Sequence, residues 1–336
     1  MKKSNIYIFI GLVFLAFIFF GFGWKIGKSQ SDSQVNIIKE IRENNFNQEK
    51  FQYINPLLTC ELGSSVEEKS FTSLKAKINN LINSKITDPK DESVSVYFDT
   101  RDGRWLSINT KAEYNPASLL KVPLMIAAFK IAESEPNFLS KKILYTGQED
   151  HNLEQNYKPA EVMLPNQYYT VDDLVSRTII FSDNNAMKLL LANMNLKELE
   201  VLYNVYTNLG FDPNATEIGV KSYASFFRVL YNGTYLSREM SEKAMELLSK
   251  TNFSEGIEAG LPGSITLADK FGERNITDTA NQSVQRELHD CGIIYYPDHP
   301  YLLCIMTKGK DFDKLSGIIK DVSALVYKNM DDLVQK

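Results

Sequence analysis

The stretch Asn115-Pro-Ala-Ser-Leu-Leu-Lys-Val-Pro-Leu-Met-Ile-Ala-Ala-Phe-Lys130 sets the reading of the whole chain. Asparagine is a favoured capping residue and proline suits the first helical position, so an apolar helix is expected to open at Asn115-Pro116 and run to about Glu133. Its first turn carries Ser118 and Lys121, three residues apart and therefore on one helix face. A serine hydroxyl is a weak nucleophile at neutral pH, and a lysine whose pKa is lowered by desolvation can take its proton. The helix N-terminus favours the negative charge that develops on an attacked carbonyl oxygen. Such a pair also arises by chance in ordinary capped helices, so it gains meaning only from its surroundings.

Upstream, two β-like runs, Ser93 to Phe98 and Arg104 to Ile108, flank the turn-rich Asp99-Thr-Arg-Asp-Gly103 and predict a hairpin. A helical pattern precedes them, from Phe71 to Ile82. Downstream, helices are expected over Val171 to Phe181, Asn185 to Met194, Lys197 to Leu209, Val220 to Leu230 and Ser241 to Ser249. Strands return at Ser264 to Lys270, Leu288 to Tyr296 and Tyr301 to Thr307, and a last helix covers Phe312 to about Met330. Strands at both ends with helices between them predict an α/β (α+β) fold: a mixed, mainly antiparallel sheet covered by helices, joined to an all-helical lobe.

Two further motifs follow the first. Ser182-Asp183-Asn184 lies between two helical stretches, where a serine could relay a proton to a departing nitrogen and an asparagine could hold both the lysine and a substrate carbonyl. Those residue types equally suit a helix cap. Lys270-Phe271-Gly272 closes a predicted strand, offering a cation for a carboxylate and a glycine that admits close backbone approach. The same Lys-x-Gly pattern occurs at Lys25-Ile-Gly27 without chemical meaning, so the tripeptide is weak by itself.

In this order, on helix start, interhelical turn and strand, the three motifs resemble the S-x-x-K, S-D-N and K-T-G set of class A β-lactamases and penicillin-binding proteins. The likeness extends through Asn115 to Pro123, Ile180-Phe-Ser-Asp-Asn-Asn-Ala-Met-Lys-Leu-Leu190 and Leu267-Ala-Asp-Lys270, and covers roughly Phe51 to Met330. The resemblance implies a serine hydrolase with Ser118 as nucleophile, Lys121 as general base, Ser182 as proton relay and Asn184 as positioning group. Lys270 would anchor a carboxylate beside Gly272, the backbone N–H groups of Ser118 and Glu273 would form the oxyanion hole, and Tyr157 would stand at the rim of the cleft. It implies no cofactor and no metal, and a β-lactam or peptidoglycan-peptide substrate. Two departures stand out. Phe271 replaces a small hydroxyl residue, and the stretch Gly210 to Gly219 is short and lacks the E-x-x-L-N segment whose glutamate activates the deacylating water. Glu217 is the only glutamate there.

The wider composition is compatible with this. The chain has 336 residues, 43% of them hydrophobic, which is enough for one large domain plus an accessory segment. A net charge of -5 spread without long runs gives no basis for a nucleic-acid partner. Residues 1–26 read as a membrane anchor, because Ile6 to Trp24 is uncharged, mostly apolar and on the order of 28 Å long as a helix. Residues 27–50 read as a polar tether and 51–336 as the hydrolase domain. The chemistry implied places that domain outside the cytoplasm of a bacterium, on a single-pass anchor. Cys60, Cys291 and Cys304 lack metal-binding or redox spacing, and Cys291 and Cys304 are expected to be packed strand side chains, their pairing left open. Two alternatives to efficient β-lactam hydrolysis remain: a D,D-peptidase-like enzyme with slow deacylation, and a non-catalytic receptor for cell-wall fragments.

Overall fold

The computed structural model describes residues 51–56, 67–207, 217–278 and 283–334. The predicted hairpin forms as β1 (Ser93–Asp99) and β2 (Trp105–Ile108), with Val96 opposite Ile108. β1 also pairs with β9 (Tyr301–Gly309), which pairs with β8 (Ser283–Ile294), which pairs with β7 (Leu267–Thr277). The result is one five-stranded sheet ordered β2-β1-β9-β8-β7, built from both ends of the domain. Every pairing in it is antiparallel, so among the described residues the sheet is not mixed.

Successive strand residues point to opposite faces, and the apolar side chains divide accordingly. Val96, Phe98, Leu303 and Ile305 pack with α1 (Thr72–Lys85) and α8 (Phe312–Val334). Tyr97, Leu302, Cys304 and Met306 pack with the helices of the middle of the chain. These are α2 (Lys121–Ser134), α3 (Val171–Ile180), α4 (Asn184–Leu191), α5 (Lys197–Thr207), α6 (Val220–Tyr231) and α7 (Arg238–Leu248). Two short ladders complete the described fold: β3 (Glu113–Tyr114) with β6 (Ile218–Gly219), and β4 (Lys142–Tyr145) with β5 (Gln167–Thr170).

α2 is buried from Lys121 through Phe129, which is why its sequence is apolar on every side rather than along one stripe. α3 begins with a capping box in which Thr170 and Asp173 satisfy each other's backbone N–H groups.

Several expectations are corrected. Lys270 does not end its strand: β7 continues to Thr277 with Glu273 opposite Leu288, because the polar run after Gly272 still finds ladder partners in the equally polar start of β8. Cys291 and Cys304 are not independent packed thiols. They lie directly opposite each other on β8 and β9, both fully buried, and form a disulfide. The predicted anchor at Ile6 to Trp24 and the tether after it lie outside the described residues. Among the described residues no helix is long and apolar enough to cross a membrane.

Candidate active site

The helix predicted at Asn115-Pro116 starts more tightly than expected. Asn115 accepts a hydrogen bond from the Ala117 N–H (2.9 Å), residues Ala117–Leu120 form a 3-10 turn, and the α-helix proper begins at Lys121. With three residues per turn, positions i and i+3 eclipse, so Ser118 and Lys121 stand directly above each other. The Lys121 Nζ to Ser118 Oγ distance is 2.9 Å.

Lys121 is fully buried, the one ionisable side chain along the buried face of α2. Its nitrogen also lies 2.7 Å from the Ser182 carbonyl oxygen, 3.0 Å from Ser182 Oγ and 2.7 Å from Asn184 Oδ1. Burial, and after it the charge of Lys270, hold the amine well below the ordinary lysine range. The carbonyl of Ser182 and the amide oxygen of Asn184 only accept, so they consume both N–H bonds of a neutral amine. Its lone pair is then left for a hydroxyl proton, and Ser118 Oγ is in reach.

The polar turn divides its work. Asp183 caps α4, accepting from Asn185 N (2.8 Å) and Ala186 N (3.3 Å), while its neighbours Ser182 and Asn184 face Lys121. The turn therefore caps α4 through Asp183 and meets the Lys121 amine through Ser182 and Asn184. Two non-glycine residues at or beside the Ser118–Lys121 pair have left-handed backbones, Ala117 at φ 49° and Ser182 at φ 53°. Such conformations cost roughly 1–3 kcal/mol each and persist where the surrounding packing enforces them.

The loop before β5 supplies support that sequence reasoning did not find. Asn152 accepts from Asn184 N (2.7 Å) and donates to Asp183 Oδ1 (2.9 Å); Gln155 Nε2 donates to the Ser182 carbonyl (3.0 Å). His151 N donates to Asn185 Oδ1 (2.7 Å), and Asn184 Nδ2 donates to the His151 carbonyl (3.1 Å). The only signal for this was the density of amide and acid side chains in Gln148 to Asn156.

β7 closes the site from the other side. A Cβ on Gly272 would lie 2.7 Å from the Pro116 carbonyl oxygen and 2.9 Å from Leu119 N, so only glycine lets the strand approach the Ser118 turn. Glu273 follows, and its carboxylate accepts from Asn156 N (3.1 Å) and Tyr157 N (2.9 Å), tying the loop to the strand. Burial raises the Glu273 carboxyl despite those bonds. Ser118, Asn184, Glu273, Arg274 and Arg286 line a cavity of about 710 Å³.

Lys270 is more enclosed than a carboxylate anchor was expected to be. Lys270 is fully buried, donates to the Phe271 carbonyl (3.1 Å) and lies 4.1 Å from the centre of the Phe271 ring. Burial pushes its amine down to about 8, against the opposing pull of Asp269, Asp290 and Glu273. The Tyr157 ring packs against Phe253, Phe271 and Phe312, the last of which lines the cavity, and its hydroxyl donates to Glu255 (2.9 Å). Glu217 is exposed, and its charge bears on Glu287 rather than on Ser118.

The profile of the "Beta-lactamase enzyme family" matches residues 73–330. None of the curated proteins compared with the chain matches it. Among solved structures, PBP-A superposes with a TM-score of 0.65 at 20% identity, covering 78% of this chain and 97% of its own. A mutant of PBP-A solved as an acyl-enzyme complex with penicillin G gives 0.64 at 19% identity, over 78% and 97%. The class A β-lactamase from Mycobacterium abscessus gives 0.63 at 20% identity, over 76% and 98%.

Proposed function

The chain belongs to the β-lactamase enzyme family, and from that premise we propose that it is a serine acyl-hydrolase that forms an acyl-enzyme at Ser118 with β-lactams or related cell-wall amides. One observation carries the reading: the buried Lys121 amine is 2.9 Å from Ser118 Oγ while two obligate acceptors hold it in place. Ser118 Oγ attacks the carbonyl carbon, its proton passes to Lys121, and Ser182 hands a proton to the departing nitrogen. The close approach of Gly272 to the turn that carries Ser118 brings the strand at Glu273 beside it, which supports the Ser118 and Glu273 backbone N–H groups as the oxyanion hole. Asn184 keeps one amide hydrogen free of its bond to His151 for a substrate carbonyl. No step calls for a metal or cofactor.

Deacylation is slow in this reading. Among the described residues the carboxylates on the cavity wall are Glu154 and Glu273, and Glu273 is committed to two backbone N–H groups. The enzyme therefore resembles a D,D-peptidase or penicillin-binding protein in kinetics more than a fast lactamase. The test uses the full chain with a fluorophosphonate and a β-lactam, followed by intact mass. Each should add its mass to the wild type and not to Ser118→Ala, and Lys121→Ala should slow labelling by about 10²–10⁴-fold. Undiminished labelling of Ser118→Ala would remove Ser118 from the chemistry.

We further propose that the domain works outside the cytoplasm, held by Ile6 to Trp24. That apolar run and the Cys291–Cys304 disulfide, which suits an oxidising compartment, support the placement. Membrane fractionation with protease added to intact cells tests it; a chain that stays in the soluble fraction or resists external protease would contradict it.

A further inference from the structure

The cation expected to receive a substrate carboxylate is already occupied. Lys270 has no exposed surface, and its ammonium rests against the Phe271 ring and carbonyl instead of the cavity. Phe271 cannot easily swing clear. Its ring is stacked on Phe253 at 4.1 Å between centroids, meets the edge of Tyr157 at 5.7 Å, and is 4% exposed. A small hydroxyl side chain there would offer a polar contact; the phenyl ring offers a cation–π contact that is satisfied within the protein.

The charge around Lys270 is also balanced from inside. Asp269, Asp290 and Glu273 all act on it. Glu273 sits on the cavity wall, held by the N–H groups of Asn156 and Tyr157, so a carboxylate placed beside it meets a like charge, and the cations that share that wall are Arg274 and Arg286, not Lys270.

Building on the reading of Ser118 as nucleophile, we propose that this site is acylated faster by donors with no carboxylate beside the scissile bond, neutral amides or esters, than by their carboxylate-bearing counterparts, with Phe271 and Glu273 as the residues that disfavour the acid. The reaction is ordinary acyl transfer. The Ser118 oxygen bonds to the acyl carbon, the bond from that carbon to the leaving nitrogen or oxygen breaks, and the serine proton leaves on that atom through Lys121 and Ser182.

The experiment compares benzylpenicillin with its methyl ester on the full chain. Acylation rates come from intact mass, each divided by the compound's uncatalysed hydrolysis rate, with a fluorophosphonate as a control for Ser118 reactivity. The wild type should favour the ester at least about tenfold, and Phe271→Thr should move the preference toward the acid by a similar factor. The wild-type comparison stands alone if that variant does not fold. An acid that matches or outruns its ester, as it would if Arg274 and Arg286 gripped the carboxylate, overturns the selectivity and leaves Ser118 in place. Failure of the fluorophosphonate to label Ser118 overturns the underlying reading instead.

Discussion

Gly272 and Leu119 are in backbone contact: a methyl group on the glycine would sit 2.9 Å from the Leu119 nitrogen, and the Pro116 carbonyl would be nearer still. That contact seats an edge strand of the sheet against the turn that carries Ser118. It makes the glycine of Lys270-Phe271-Gly272 a requirement of approach rather than of backbone freedom.

Gly272→Ala should therefore force β7 away from the Ser118 turn. The expected loss of stability is about 1–3 kcal/mol, the usual cost of overpacking, and, on the proposed role of Ser118, a larger proportional loss in acylation rate because the strand beside it moves. Urea denaturation and intact-mass kinetics on the same preparation check both. An alanine variant with unchanged rate and midpoint would show that the strand has slack there.

His289 lies beneath the same turn. Its Nε2 donates to the Asn115 carbonyl (3.0 Å), its Nδ1 accepts from Thr307 N (3.2 Å), and the Tyr114 ring meets it edge-on. Burial first, with Lys308 adding to it, pushes its pKa down to about 4 from an unfolded value of 6.5. A depressed pKa contributes stability that is present above 6.5 and lost as pH falls through 4. The full effect is about 3 kcal/mol. His289→Gln should flatten the fall in unfolding free energy between pH 6.5 and 4; an unchanged slope would assign that fall to other groups.

The Cys291–Cys304 disulfide ties neighbouring central strands at a sequence separation of 13. Closing a short loop of this kind contributes about 2–4 kcal/mol. Cys291→Ser should lower the urea midpoint accordingly, and reductant should lower that of the wild type but not of the variant. Alkylation of all three cysteines in unreduced, unfolded protein would show that the bond does not form.

Much of this architecture was legible in the sequence because the signals were local. The hairpin at Ser93 to Ile108 announced itself through a polar turn between alternating runs, and α3, α4, α6 and α8 through apolar periodicity and caps. The juxtaposition of Ser118, Lys121, Ser182 and Asn184 was also expected, since each sits on a motif with defined backbone geometry. What was not legible depends on partners distant in the chain. The polar half of β7 looks like a loop until β8 is laid beside it. The supporting bonds of Asn152 and Gln155 come from a loop with no periodicity, and the Glu273 latch joins residues 116 and 117 positions apart. Phe271 was seen as a departure, but only its stacking on Phe253 reveals that the ring also claims Lys270.

The pH dependence of Ser118 acylation tests most directly whether a neutral Lys121 activates the serine. Measured by intact mass with a neutral ester donor, the rate should rise with pH to a plateau whose midpoint lies well below the ordinary lysine value of 10.5. Lys270→Met should move that midpoint upward, because the Lys270 charge helps keep Lys121 unprotonated. A rate that still climbs about tenfold per pH unit between roughly pH 9 and 10.5 in the wild type, or a midpoint unmoved by Lys270→Met, would contradict the account.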